Sequence, residues 1–221
     1  MKRLFIALLF LFGTITNSFA EVGAKVGITA ALGYFETSAK EKEDSETSVS
    51  RDAEGLGAFA AIFVEKQIND VASIGIEYTP TAFETEENTH LQSDQKGKAT
   101  GASATATQKA QVDFTNLLTI YAMARPGNID GLYLKAGYVQ VDVETNETLG
   151  TGSTYPNSDM DGFTVGIGYD RDLTNGAFVR AEGSYMQLGG ITVTSTNNSA
   201  NSVTTDDVDG FLAKVSVGKA F

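Results

Sequence analysis

The sequence predicts an all-β fold, an eight-stranded antiparallel up-and-down transmembrane β-barrel, and three observations predict it. Apolar residues recur at every second position through most of the chain after residue 20. The connections between these alternating segments are short and long by turns, and an export-type leader stands in front of them.

The leader comes first. Lys2 and Arg3, the unbroken apolar run 4–12 and a polar stretch closing on Ser18-Phe19-Ala20 have the layout of a secretory signal peptide. The run is too short for the ~20 residues that a membrane-spanning helix needs. Residues 1–20 are therefore expected to be removed after Ala20, and 21–221 to form the barrel. Further on, Gly, charged or hydroxyl residues interrupt every apolar stretch within a few positions. There is no cysteine, which excludes a thioether-linked lipid, disulfides and thiolate metal ligands, and no cofactor is implied. The net charge is -12, and without Lys2 and Arg3 the balance is 14 basic against 28 acidic residues. Nucleic acid is a poor partner for such a chain, because phosphate binding needs a basic footprint.

Strand one, 22–34, sets Val26, Ile28, Leu32 and Tyr34 against Lys25, Gly27, Thr29 and Gly33. Such period-two alternation puts one set on each face of a strand. Five more strands are expected over 56–65, 72–82, 112–124, 132–143 and 177–187. Alternation is clearest in Phe163, Val165, Ile167 and Tyr169, and again in Phe211, Ala213, Val215 and Val217 with Phe221 in phase. Ala60-Ala61 blurs the phase of the second strand, and the apolar parity slips across Tyr138-Val139, for which a β-bulge or the end of the apolar band would account.

Three connections, 66–70, 125–130 and 172–176, are short and carry turn chemistry such as Pro126-Gly127-Asn128 and Asn175-Gly176. Four, at about 36–53, 84–111, 144–160 and 188–207, are long and polar. Consecutive antiparallel strands then place all short turns at one end and all long loops at the other, as in barrels of the outer membrane. A soluble β-sandwich also alternates apolar and polar residues. Its polar face would be richly charged, whereas here that face is mostly Gly, Ala, Ser and Thr, as a narrow, filled, hydrophilic lumen requires. Aromatic girdles are expected from Tyr34, Tyr78, Phe163, Tyr185 and Phe211 toward the loops and from Phe63, Tyr169 and Phe221 toward the turns.

On these residues the chain from 21 onward resembles the small outer-membrane barrels of the OmpA/OmpX and opacity-adhesin type, within the porin-like outer-membrane β-barrel superfamily. The final stretch resembles the sorting signal of that family, an aromatic residue preceded by apolar residues at alternate places. Phe221, Val217, Val215 and Ala213 match it, while Lys219 and Ser216 depart from it. The resemblance implies residence in the outer membrane of the cell envelope of a Gram-negative bacterium, reached through the periplasm. It also implies contact with lipid and lipopolysaccharide, assembly by the barrel-insertion machinery as a monomer, and a structural or adhesin-like role. A narrow passive channel is the alternative, and a lipid-modifying enzyme a third.

Three groups of residues are candidates for a site. Inward parity gathers Lys25, Glu77, Lys135, Asp170, Arg180, Glu182 and Lys214. Buried charges must be paired, so these form either a salt-bridged plug or a switching ion path. Next, Glu54-Gly55-Leu56, Asp130-Gly131-Leu132, Asp161-Gly162-Phe163 and Asp209-Gly210-Phe211 repeat an acidic-Gly-apolar triplet, with Asp159, Asp206 and Asp207 nearby. Such a rim holds divalent cations or is ordinary turn chemistry. Lastly His90, the sole histidine, stands near Glu84, Glu86, Glu87 and Ser93 in the longest loop. Catalysis needs a held geometry that a loop does not supply, so no catalytic residue is expected. The Thr-, Ser- and Asn-rich loops can recognise a surface ligand, although they lack the aromatic and Arg anchors of tight interfaces.

Overall fold

The computed structural model describes residues 23–42, 49–84, 88–95, 103–127, 129–148, 154–197 and 199–221. The expected leader, 1–20, lies outside the described residues, as do parts of the long connections. The strands are β1 (Ala24–Lys42), β2 (Val49–Asn69), β3 (Ala72–Glu84), β4 (Asn88–Gln95), β5 (Ser103–Ala124), β6 (Leu132–Thr148), β7 (Ser158–Asp172), β8 (Ala177–Leu188), β9 (Ile191–Thr194), β10 (Ser202–Thr205) and β11 (Val208–Ala220).

Eight of them close a ring in the order β1, β2, β3, β5, β6, β7, β8, β11, every neighbour antiparallel. β11 returns to β1 in unbroken register from Lys25 opposite Ala220 to Glu36 opposite Asp209. Closure pairs the strand edges that an open sheet would leave bare. The turns sit at one end. Asn175 and Gly176 both take positive φ (65° and 73°), the left-handed geometry that a tight hairpin demands and that Asn and Gly tolerate. Asn69 caps the β2–β3 turn by accepting a hydrogen bond from the Val71 N–H at 2.9 Å.

The alternation predicted from sequence becomes an inside and an outside. Leu56, Leu32, Val215 and Ile28 stand outward with 60–80 % of their surface exposed, while Thr29, Ala31, Lys214 and Ser216 on the same strands are buried. Burial alternates without interruption through both ambiguous places. Phe59, Ala61, Phe63 and Glu65 point inward on β2, and Val139 is buried beside the outward Tyr138 on β6. The slip at Tyr138-Val139 is thus the end of the apolar band. A bulge does occur nearby, on the facing strand: the register of β5 with β6 shifts between Thr115 and Leu118, where Asn116 has φ 53°.

Two expectations change. The long connections carry far more ladder than the sequence suggested. β1 and β2 stay paired out to Glu41 opposite Val49, β4 pairs with β5, and a β9–β10 hairpin adds to β1 through Ala39–Lys42. Their Thr- and Ser-rich stretches offer no apolar alternation to read. Phe63, expected in a girdle, is 4 % exposed and lies inside.

Candidate functional site

The interior is layered. At the turn end five basic and five acidic side chains interlock: Lys25, Arg125, Lys135, Arg180 and Lys214 with Glu65, Glu77, Asp170, Asp172 and Glu182. The lower lobe joins Arg180 to Glu65 (3.0 Å) and Asp170 (3.3 Å), Arg125 to the same two (3.2 Å each), and Lys25 to Asp170 (3.2 Å) and the exposed Asp172 (3.3 Å). The upper lobe joins Lys214 to Glu77 (2.7 Å) and Lys135 to Glu77 (3.5 Å) and Glu182 (3.4 Å). Each lobe is neutral. That balance is what burial permits, because an unpaired ion in a low-dielectric interior costs several kcal/mol or more.

Tyrosines tie the lobes together. The Tyr133 hydroxyl donates to Glu182 (2.8 Å) in the upper lobe while its ring lies 5.0 Å from the Arg180 guanidinium in the lower. Tyr121 reverses the arrangement, donating to Glu65 (3.4 Å) below with Lys135 4.3 Å over its ring. Phe63 and Phe178 complete an aromatic cage around Arg180 at 5.4 and 5.5 Å. Each tyrosine lies across a glycine directly opposite it on the neighbouring strand. A Cβ at Gly75 would stand 2.4 Å from the Tyr121 ring, and one at Gly168 2.3 Å from Tyr133. Inward glycines therefore make room for the rings that hold the charges, the aromatic-over-glycine pairing seen across strands.

Toward the long loops the filling changes to Phe59, Leu117, Val139, Val141, Met160, Met186 and Leu212, with Phe35 and Phe114 against them. The expectation of a hydrophilic interior throughout is corrected: above the upper lobe the charges stop and the filling is mainly apolar, with Thr79, Thr119 and Thr164 among it. The apolar inward residues coincide with the sites where the strand phase read as blurred.

All seven charges expected inside are there, brought together in one network. Sequence reasoning missed Glu65, Arg125 and the exposed Asp172. Glu65 has the inward parity of Phe63, a signal hidden by the doubled alanine, and Arg125 beside Pro126 read as turn although its guanidinium reaches back to Ser73 and Glu65. Outward, Val215, Val217 and Phe221 form a comb along β11. At the loop end, Tyr34 donates to Glu54 (2.7 Å), Tyr78 to Asn116 (2.7 Å) and Tyr185 to Asp209, hydroxyls that mark where the apolar belt meets water. Above them a groove of about 1040 Å³ is lined by Glu36, Asp52, Glu54, Asp206, Asp207 and Asp209. No group of three or more His, Cys, Asp or Glu side chains among the described residues is placed to hold a metal ion. His90 lies on β4 opposite Gln108.

A closed antiparallel cylinder with an apolar belt outside, girdle tyrosines and a neutralised ionic core defines a membrane-spanning β-barrel. No protein-family model matches the sequence, and no curated protein matches it. Among solved structures, the chain is similar to the outer membrane protein OprG from Pseudomonas aeruginosa, with a TM-score of 0.49 and 13% identity over 89% of this chain and 97% of that one. It is also similar to the outer membrane protein AlkL in lipid bilayers (TM-score 0.48, 13% identity, 88% and 90% covered). A third is Neisserial surface protein A (TM-score 0.40, 14% identity, 87% and 97% covered).

Proposed function

We propose that the chain is an integral protein of the bacterial outer membrane, exported through the periplasm, with a structural or surface-interaction role and no enzymatic activity. One observation carries this reading. The outward residues Ile28, Leu32, Ile62, Ile74, Leu134, Val165, Ile167 and Val215 are all half or nearly half exposed, so the cylinder is greasy where a water-soluble protein would be polar. Hydrocarbon is the solvent for such a surface, and a closed barrel leaves no spanning edge for it to meet. Lipid and lipopolysaccharide are its neighbours, and the Thr-, Ser- and Lys-bearing sheet of β9, β10, β1 and β2 beyond the belt is the face offered to a surface ligand. Residues 1–20 serve as the signal peptide. The comb of Val215, Val217 and Phe221 is the part offered to the barrel-insertion machinery, and the barrel works as a monomer.

Cell fractionation followed by gels of boiled and unboiled samples tests the reading. A heat-modifiable band in the outer-membrane fraction is expected. A freely dissolved, cooperatively folded monomer in detergent-free buffer would overturn it. The two filled layers favour a structural role over a narrow passive channel. Planar bilayers should accordingly stay silent with both the original chain and Arg180→Ala, because the apolar layer survives that change, and discrete conductance steps would move the assignment to the channel. Replacing His90 with Ala should leave every envelope phenotype unchanged.

A further inference from the structure

The wall of the cylinder is not bonded evenly. β2 and β3 pair from Asn69 opposite Ala72 up to Ile62 opposite Tyr78, and there their ladder ends. Both strands run on, β2 to Val49 and β3 to Glu84, each still paired on its other side, to β1 and to β5. Along 56–61, β2 therefore lacks a ladder partner on the β3 side among the described residues. This stretch belongs to the apolar belt: Leu56, opposite the girdle residue Tyr34, is 80% exposed. Pro80 stands just where β3 would continue the ladder, and proline has no N–H to give.

Behind the seam lies the apolar half of the interior, with Phe59 on β2, Ala82 on β3 and Leu117 on β5. Met160 and Met186 belong to the same filling, and unbranched thioether side chains re-pack readily. At the foot of the seam sit two hydroxyls, Thr79 and Thr119, 0% and 1% exposed and without a hydrogen-bond partner among the described residues. They are diagonal neighbours, since Thr79 pairs with Leu117 and Glu77 with Thr119. An unmet buried hydroxyl is costly, so a bound polar group would be stabilising there. Below them the neutral ionic layer closes the way to the turn end, and because its charges already balance, a net charge brought against it would go unpaired.

Resting on the membrane reading above, we propose that the β2–β3 seam is a lateral port. Through it an uncharged single-chain amphiphile passes from the surrounding lipid into the apolar half of the interior, its hydroxyl end meeting Thr79 and Thr119. The apolar chain displaces the methionine side chains, and the ladder, absent at this seam, does not have to break for it to pass.

The test uses the full chain in phosphatidylcholine vesicles with photoactivatable dodecanol, dodecane and dodecyltrimethylammonium, labelled residues being read by mass spectrometry. Dodecanol is expected to label the interior residues Phe59, Leu117 and Met186, and to do so about fivefold more than dodecane, the worth of one neutral hydrogen bond. The cationic probe should label only outward residues such as Val165 and Ile167. Thr79→Val should abolish the preference for the alcohol, and Pro80→Val, which restores an N–H at the seam, should suppress interior labelling while outward labelling persists. Interior labelling that is indifferent to Pro80→Val, or labelling confined to the outer surface in the original chain, overturns the port. The heat-modifiable band of each variant separates these outcomes from a failure of the membrane reading. Should Pro80→Val not give that band, Ala58→Cys with Thr81→Cys, which leave Pro80 in place, allow the seam to be tied by a reducible bis-thiol crosslinker and freed by reduction in one sample, with the same two outcomes.

Discussion

At the turn end of the cylinder the interior is filled by nine charged side chains that, with the exposed Asp172, neutralise one another; at the loop end it is filled by valines, methionines and phenylalanines. Both fillings exclude water from a narrow tube, and they differ in how they fail. The ionic half depends on complete sets of partners, so the loss of one member strands others. The apolar half depends on volume, so damage there is local and graded.

The largest expected effect comes from breaking a set. Glu77→Leu leaves Lys135 and Lys214 with Glu182 alone, and should cost about 3–5 kcal/mol, as other broken buried ion pairs do. Guanidinium unfolding in detergent, followed by loss of the compact unboiled band, measures it. Next comes Gly75→Ala. Its methyl would meet the Tyr121 ring at 2.4 Å and push it off both Glu65 and Lys135, at roughly 1–3 kcal/mol, the cost of overpacking. Val141→Ala in the other half should cost about 1.5 kcal/mol for its lost methyl groups, and no charge should move with it. The smallest effect should belong to replacing Glu77, Lys135, Lys214 and Glu182 together by apolar residues of similar volume, which removes the upper lobe as a whole and is expected to be near neutral. A loss as large as that of Glu77→Leu would show that the lobes act through geometry beyond charge pairing.

The same contrast decides what was legible in the sequence. Strand number, ring order and the ends to which turns and loops belong followed from alternation and from the short and long connections, because hydrocarbon outside imposes one strict parity. Inward charges were legible wherever the outward parity was clean, as at Lys135, Glu182 and Lys214. Glu65 was lost because Ala60-Ala61 gives the parity no contrast, although Phe59 and Phe63 share its face. The apolar layer was lost for a related reason: Val139, Val141 and Val143 carry the inward phase with the chemistry of the outward one, so alternation alone reads them as a slip. The extended ladders of the loops follow β-branched content, to which a search for alternation is blind.

Closure of the ring by β11 against β1, from Lys25 opposite Ala220 to Glu36 opposite Asp209, has a temporal consequence. These partners stand nearly a whole chain apart, so the first strand to be synthesised waits for the last. Until then the molecule is a curved, unfinished ribbon with two sticky margins, and the chain must be shielded on its journey rather than fold as it emerges.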